Sequence, residues 1–216
     1  MPSHRPENVL AILDALASLY PDAGCELVHA SAFELLISTI LSAQCTDAQV
    51  NAVTPELFRR WPDARALAAS DPSEVEQVIH STGFFRSKAR SIRGAAASLL
   101  ERHAGIVPRE MDALVALPGV ARKTANVVLG TAFGIAEGVV VDTHVFRVTR
   151  RWGWHQESSP EKVERILMDL VPRDAWNAFG HRGVLFGRYR CPARRPPCET
   201  CPMRSWCPVG QGRADP

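Results

Sequence analysis

Four cysteines near the C-terminus constrain this chain more than any other feature. They lie at Cys191, Cys198, Cys201 and Cys207, with the spacing Cys-x6-Cys-x2-Cys-x5-Cys. Thiolates this close in sequence can surround one metal centre, and the spacing alone leaves zinc and an iron–sulfur cluster both open. A disulfide framework is a weaker alternative, because such frameworks are typical of secreted chains shorter than about 100 residues.

Positive charge is concentrated in two segments, although the formal net charge is only +2. Residues 181–195, which run into the cysteine motif, hold five arginines and no acidic residue. Residues 80–103 hold five basic residues and one glutamate. Such clusters favour a polyanionic partner over a merely solvated surface. A metal-stapled loop that presents arginines indicates binding to the phosphates of a nucleic acid.

The length of 216 residues and the 46% hydrophobic content suit one large or two small globular domains. No apolar run approaches the roughly 20 residues of a membrane helix, and the first residues lack a signal segment. We therefore expect a soluble, cytoplasmic protein with no membrane association.

Apolar residues recur with helical spacing along nearly the whole chain, so the sequence predicts an all-α fold. Residues 138–141 are strand-like but too short to found a sheet, and are interpreted as a connection. The predicted helices span 7–20, a segment after Ser31, 47–60, 72–80, 86–103, 109–116, 121–133, 160–170 and 174–188.

Pairs of capping residues predict where several helices begin. Pro55 lies inside the predicted helix 47–60 and is expected to kink or divide it. The predicted capping pairs are Ser31 with Glu34, Thr46 with Gln49, and Ser158 with Glu161.

The segment 117–124 joins two predicted helices through a turn that contains Gly119. A turn of this kind leaves the first N–H groups of the second helix unpaired, and these donors suit a phosphate. An ordinary connection between packed helices is an equally good interpretation of the turn taken alone.

Lys123 and Asp142 are the candidate chemical residues. Lys123 lies off the apolar stripe of its helix and can face a groove, and the helix dipole and Arg122 both disfavour an ammonium there. A neutral lysine can attack carbon as a Schiff-base nucleophile, although a lysine here could also merely contact phosphate. Asp142 stands at a helix start, where a carboxylate can cap the helix and also stabilise positive charge on a reacting sugar.

Several segments together closely resemble the bacterial endonuclease III family of helix-hairpin-helix DNA glycosylases. The resemblance extends over roughly residues 8–208. The segments that carry it are 31–37, 41–47, 82–89, 117–128 and 141–144, followed by the four cysteines.

The resemblance implies two α-helical domains with DNA bound between them. One is a six-helix barrel over 25–136 that bears the hairpin. The other combines 1–24 with 137–216 and holds a [4Fe–4S] cluster on the four cysteines. The implied partner is double-stranded DNA with oxidised pyrimidines or abasic sites, the implied state is a monomer, and the implied location is the bacterial nucleoid.

The same resemblance implies a bifunctional DNA glycosylase and abasic-site lyase of base excision repair. Lys123 would attack C1′ of a flipped nucleotide, and Asp142 would stabilise the cationic sugar. Gln44 would fill the gap that the flipped base leaves, and Phe84 would enter the opposite strand as a wedge. Further DNA contacts are expected at Gly119, Ala121, Arg122, His144, Arg190 and Arg194.

A monovalent cation is expected at the carbonyls of Val115, Leu117 and Val120. Four residues depart from the family pattern: Ala121 replaces a glycine, Phe84 a leucine, Val115 a glutamate and Cys45 a small residue. Alanine at position 121 is tolerated provided that its φ angle is negative.

Two other functions fit parts of the pattern. A mismatch adenine glycosylase shares the hairpin and the cysteines but lacks a lysine at position 123. A non-catalytic DNA-binding module with a zinc knuckle would not need Lys123 and Asp142 together.

Overall fold

The computed structural model describes residues 6–214, and all regular structure in that range is helical. The all-α prediction is confirmed, and residues 138–141 form a connection. No helix among these residues is long and apolar enough to cross a membrane. The α-helices are α1 Val9–Leu19, α2 Ala32–Leu41, α3 Asp47–Arg60, α4 Ala64–Ala69, α5 Pro72–Val78, α6 Phe85–His103, α7 Met111–Val115, α8 Arg122–Phe133, α9 Thr143–Arg151, α10 Pro160–Leu170 and α11 Trp176–Leu185.

The capping predictions are confirmed at two helices and wrong in detail at a third. The Ser31 hydroxyl accepts the Glu34 N–H at 3.1 Å, and the Thr46 hydroxyl accepts the Gln49 N–H at 3.3 Å. Helix α10 is capped by Ser159, which accepts the Lys162 N–H, and not by Ser158. The helix begins one residue later than Ser158 would place it because Pro160 takes its first position.

Pro55 does not divide α3, which runs unbroken from Asp47 to Arg60. Proline removes one backbone donor, but the helix is held on both sides of it by buried side chains, including Val50, Val53 and Leu57. The short helix α4, which was not predicted from the sequence, is capped by Asp63, whose carboxylate accepts the Ala66 N–H at 2.8 Å.

The chain divides into two compact units. The hairpin unit is Cys25–Glu137 and contains α2 to α8. Its core is a single apolar cluster in which α6 packs against α2, α4 and α5. The central helix α2 is the most deeply buried, since every residue from Leu35 to Leu41 is inaccessible or nearly so.

The cysteine unit consists of the described residues up to Gly24 and from Gly138 onward. Residues 1–5 and 215–216 of the predicted second domain lie outside the described range. The core of the cysteine unit includes a row of aromatic rings. The ring centroid of Trp152 lies 5.1 Å from that of Trp154 and 5.6 Å from that of Phe186. Asn8 fastens the N-terminal segment to this core, because its amide donates to the carbonyls of Trp152 and Trp206.

Candidate functional site

The predicted hairpin is formed by α7, a turn and α8. The turn requires glycine at position 119. Its φ is +78°, a conformation that side chains with a Cβ rarely adopt. A Cβ built there would also lie 2.7 Å from the Ser91 Cβ and 3.3 Å from the Ile40 Cγ2. The turn therefore sits directly against α6 and α2, where only glycine fits.

A second glycine lets α6 approach the same turn. A Cβ on Gly94, in the interior of α6, would lie 3.2 Å from the Pro118 Cβ. Glycine inside a helix costs about 1 kcal/mol relative to alanine, so its presence at the crossing is explained by this close approach. Within the turn, the Val120 N–H donates to the Leu117 carbonyl at 3.1 Å.

The start of α8 has no side-chain cap among the described residues and lies beside two cations. Ala121 occupies the N-cap with a φ of −93°, so the condition for alanine at this position is met. Arg122 and Lys123 are exposed in the first turn, and one Arg122 N–H donates to the Glu137 carbonyl at 3.3 Å. The geometry suits an anion at the helix start.

One pocket of the hairpin unit brings together three predicted DNA contacts: Gln44, Phe84 and Gly119. Gln44 and Phe84 both have positive φ angles, of 52° and 47°. Phe84 is 67% exposed, which is unusual for a large aromatic side chain. The remaining residues of the pocket lining are Ile40, Ala43, Ser87, Lys88 and Ser91.

In the cysteine unit, Asp142 is the N-cap of α9 and both of its carboxylate oxygens are engaged. Oδ1 accepts the N–H groups of His144 and Val145, at 2.9 and 2.8 Å. Oδ2 lies 2.8 Å from Nδ1 of His144. An ionised carboxylate can only accept, so the His144 ring donates from Nδ1. The carboxylate is fixed in position while about a fifth of the side chain stays exposed.

The four cysteines line one pocket, together with Arg151 and Arg190. Cys191 and Cys207 are buried, and burial is the largest influence on the thiols of Cys201 and Cys207, whose pKa values it raises. No group of three or more His, Cys, Asp or Glu side chains in residues 6–214 is positioned to hold a metal ion. All four cysteines nevertheless line the same pocket.

Two arginines of α9, which the sequence analysis did not single out, hold the cysteine loop. Arg151 is buried, and its guanidinium donates to Sγ of Cys191 at 3.2 Å and to the carbonyls of Pro192 and Ala193. Arg147 donates to the Cys191 carbonyl at 3.0 Å. The two arginines are four residues apart and so share one helix face, which is the sequence signal that could have found them.

A turn of π-helix, Phe186–Arg190, follows α11 and leads into Cys191. Such turns frequently mark functional sites. It brings Gly187 so close to α9 that an added Cβ would lie 2.7 Å from the Cβ of His144. The sequence pattern predicts one helix to residue 188, because helical periodicity does not distinguish a π turn from an α turn.

The predicted phosphate contacts of the arginine-rich segment have different surroundings. Arg194 is exposed. Arg190 lines the cysteine pocket and hydrogen-bonds the Tyr20 phenol. Burial raises the pKa of Tyr20, and Arg190 partly opposes that shift.

Comparison with known proteins places these features in one family. Residues 37–173 match the HhH-GPD superfamily of base excision DNA repair proteins. The chain is 50% identical to endonuclease III of Synechocystis over 96% of this chain and 94% of that protein. It is 46% identical to endonuclease III of Bacillus subtilis, over 93% and 92% of the two chains.

Solved structures agree with the sequence relatives. A non-covalent endonuclease III–DNA complex superposes with a TM-score of 0.91 at 46% identity, over 95% of this chain and 96% of that one. A trapped endonuclease III–DNA covalent intermediate gives the same TM-score at 45% identity, over 95% and 97%. A thermostable thymine-DNA glycosylase, at 22% identity and a TM-score of 0.82, shares the fold. This chain is a member of the endonuclease III family, within the HhH-GPD superfamily.

Proposed function

We propose that Lys123 and Asp142 carry the chemistry of this protein, which is a bifunctional DNA glycosylase and abasic-site lyase of base excision repair. It excises oxidised pyrimidines from duplex DNA and then nicks the strand. The choice of Lys123 rests on the small number of lysines in the chain. The chain has only three lysines, and each has a different environment.

Two of the three lysines already have a hydrogen-bond or ion-pair partner within the protein. Lys88 is buried and its Nζ donates to the Thr82 carbonyl at 2.7 Å. Lys162 pairs with Glu157 at 3.3 Å on the surface of the cysteine unit. Lys123 is the exposed lysine at the free N-terminus of a helix, beside a turn suited to phosphate. It is therefore the amine best placed to meet a nucleotide held by the hairpin.

The reaction begins on a base that has left the stack, because the sugar carbon cannot be reached inside a duplex. The Lys123 amine forms a bond to C1′, and the bond from C1′ to the base breaks with its electron pair leaving on the base. The ring oxygen is then expelled and a Schiff base joins Lys123 to the open sugar. Loss of a C2′ proton and departure of the 3′ phosphate complete the β-elimination.

Asp142 is proposed to stabilise the positive charge that develops on the sugar as the base leaves. Both carboxylate oxygens are already held by α9 and His144, so the anion needs no reorganisation when that charge appears.

The hairpin and the pocket beside it are proposed to hold the DNA. Backbone donors near Gly119, Ala121 and Arg122 would meet a phosphate. The carbonyls of Val115, Leu117 and Val120 would share a monovalent cation with it. The Leu117 carbonyl already accepts one N–H, and its second lone pair suits the cation.

Gln44 and Phe84 are proposed to occupy the gap and the opposite strand. A side chain that stacks on bases contributes roughly 1–3 kcal/mol of binding per base. Phe84 is largely exposed, so this contact would add apolar burial that the protein alone does not provide.

The cysteine pocket is proposed to hold a [4Fe–4S] cluster, the cofactor characteristic of this family. Four thiols around one space match the ligand number of such a cluster. When bound, the cluster would supply a rigid cross-link for the loop and the electrostatics of a metal centre. The chain's own contribution is the Arg151 N–H on Cys191 and the Gly210 N–H on Cys207, at 3.2 and 3.4 Å, which stabilise thiolates.

The remaining predicted DNA contacts lie in the cysteine unit. Arg194 and Arg190 would reach the DNA backbone from the cysteine unit, and His144 would do so only through its second ring nitrogen, since Nδ1 faces Asp142. Because the substrate is chromosomal DNA, the bacterial nucleoid is the proposed place of action, and a monomer is the proposed state.

Borohydride trapping tests the assignment, because an imine is reduced to a stable amine. Wild-type protein mixed with a duplex that holds one oxidised pyrimidine should give a covalent protein–DNA adduct. Lys123→Gln should abolish the adduct and the nick but keep binding. Asp142→Asn should slow base excision steeply and leave binding intact. Lys162→Gln is the matched control, and it should trap like the wild type.

Trapping that persists in Lys123→Gln would overturn the nucleophile. Loss of trapping in Lys162→Gln alone would move the assignment to the cysteine unit. Normal excision by Asp142→Asn would show that this carboxylate serves only as a helix N-cap.

A further inference from the structure

Lys88 is an unusual residue, because its cationic side chain is buried inside the hairpin unit. It lies on α6 and is 5% exposed, and burial lowers the pKa of its ammonium. The chain uses lysine only three times among its 25 lysines and arginines. A buried ammonium loses its hydration, which an apolar side chain of similar shape, such as methionine, would not. A role other than packing is therefore indicated.

The partner of this ammonium is a backbone carbonyl in the segment before Phe84. Nζ of Lys88 donates to the Thr82 carbonyl at 2.7 Å, and this is the hydrogen bond that its ammonium makes within the described residues. The Thr82 hydroxyl in turn donates to the Ile79 carbonyl at 2.8 Å. Thr82 is thus held on two sides, at the end of a 3-10 turn, His80–Thr82.

The two residues after Thr82 both have positive φ angles. Gly83 has a φ of +70° and Phe84 a φ of +47°, which is unfavourable for a residue with a Cβ. The Lys88 N–H also donates to the Phe84 carbonyl, at 3.0 Å, as the first bond of α6. Backbone and side chain of Lys88 therefore hold both ends of the bend that carries Phe84.

The same lysine lines the pocket that contains Gln44, Phe84 and Gly119. Lys88 thus lies beside the three proposed DNA contacts of the hairpin unit. Arginine would not serve equally well, because a planar guanidinium is larger than the compact ammonium that reaches one buried carbonyl.

We propose that Lys88 is a positioning residue that fixes the Thr82–Phe84 bend, so that Phe84 is already oriented to enter the DNA strand opposite the lesion. The proposal rests on the proposed wedge role of Phe84. It assigns Lys88 no contact with the reacting atoms. Its loss is expected to affect duplex substrates selectively, because a wedge has nothing to separate in a single strand.

Lys88→Met tests this, because methionine keeps the apolar stem and removes the donor. We expect kcat/KM on a duplex with an abasic site to fall about tenfold, which corresponds to the loss of one hydrogen bond from a charged group. Strand cleavage of the single-stranded abasic oligonucleotide should stay within about twofold, as expected for a change that removes no transition-state contact. Lys162→Met, which removes an exposed cation on the surface of the cysteine unit, is the control and should leave both rates unchanged.

A double-mutant cycle separates positioning from general destabilisation. If Lys88 acts through Phe84, Lys88→Met should add little loss on duplex DNA in a Phe84→Ala background. A 2-aminopurine base opposite the lesion gives a second signal, since its fluorescence rises when it unstacks. That rise should be reduced in Lys88→Met and in Phe84→Ala alike. Should Lys88→Met not fold, Lys88→Gln, whose side chain is one bond shorter, is expected to show the same selective loss.

Equal losses on single-stranded and duplex DNA, full additivity with Phe84→Ala, or an unchanged duplex rate would each overturn the proposal. These outcomes differ from failure of the proposed function itself. In that case the wild-type protein would neither cleave the single-stranded abasic oligonucleotide nor form a borohydride adduct with it.

Discussion

Replacing Gly119 by alanine should destabilise the hairpin unit through two separable effects. The first is conformational, because a residue with a Cβ costs about 1–2 kcal/mol at a φ of +78°. The second is steric, because the new Cβ would lie 2.7 Å from the Ser91 Cβ, and overpacking of this kind costs about 1–3 kcal/mol. Together they predict a loss of about 2–5 kcal/mol in the free energy of unfolding.

Thermal unfolding of control variants separates the conformational effect from the steric effect. Each kcal/mol should lower Tm by about 2–4 °C for a chain of this size. Gly134→Ala is the conformational control, because Gly134 has a φ of +67° but nothing lies within 4 Å of its Cβ position. It should therefore lose only about 1–2 kcal/mol.

Ser91→Gly should recover the steric part in the Gly119→Ala background, since it removes the atom that the new Cβ meets. Ser91→Ala should recover nothing, because it retains that atom. Each double variant is compared with its single Ser91 variant. Equal Tm losses in Gly119→Ala and Gly134→Ala would refute the close packing of the turn against α6 as a source of stability.

Four further predictions concern other parts of the molecule. Changing any of the four proposed cluster ligands, Cys191, Cys198, Cys201 or Cys207, to serine should lower the iron and sulfide content of protein prepared without oxygen, whereas Cys25→Ser should not. Burial lowers the pKa values of His155 and His181, so the unfolded chain binds more protons than the folded chain below about pH 6.5. Stability should therefore fall as pH falls through this range, and a His155→Gln, His181→Gln variant should show a flatter profile of Tm against pH. Ala104→Gly should raise Tm, because Ala104 ends α6 with a φ of 52° and glycine relieves about 1 kcal/mol of strain there. Arg194→Gln should reduce the salt slope of log K for DNA binding by about 0.9 if this exposed arginine neutralises one phosphate, and an unchanged slope would exclude that contact.

Features set by local rules could be predicted from the sequence. Ser31 and Thr46 cap their helices as predicted, and Asp142 caps α9, because capping depends on residues within one turn. The N-cap prediction at Ser158 was wrong, but the neighbouring sequence could have corrected it. Pro160 favours the first helical position, and this makes the residue before it, Ser159, the N-cap.

Features set by tertiary contact could not be predicted in the same way. Lys88 and Lys123 are both lysines on helices rich in polar residues, and only packing makes one buried and the other exposed. Arg151 is likewise an ordinary helix residue in sequence, and its role depends on a cysteine 40 positions away. Helical spacing, such as that of Arg147 and Arg151, can show which residues share a face, but it does not identify the non-local partner that the face contacts.

The positions of backbone strain argue independently for where this molecule acts. Within residues 6–214, four residues other than glycine have positive φ angles, and two of them, Gln44 and Phe84, line the pocket beside Gly119. Each such conformation costs roughly 1–2 kcal/mol, and neither exposed side chain recovers that cost through burial within the protein. Contacts with a molecule that covers these side chains would offset that cost. Strain that persists on an exposed surface, next to a glycine-dependent turn and a helix start without a side-chain cap, therefore supports the proposal that this surface is formed before DNA binds.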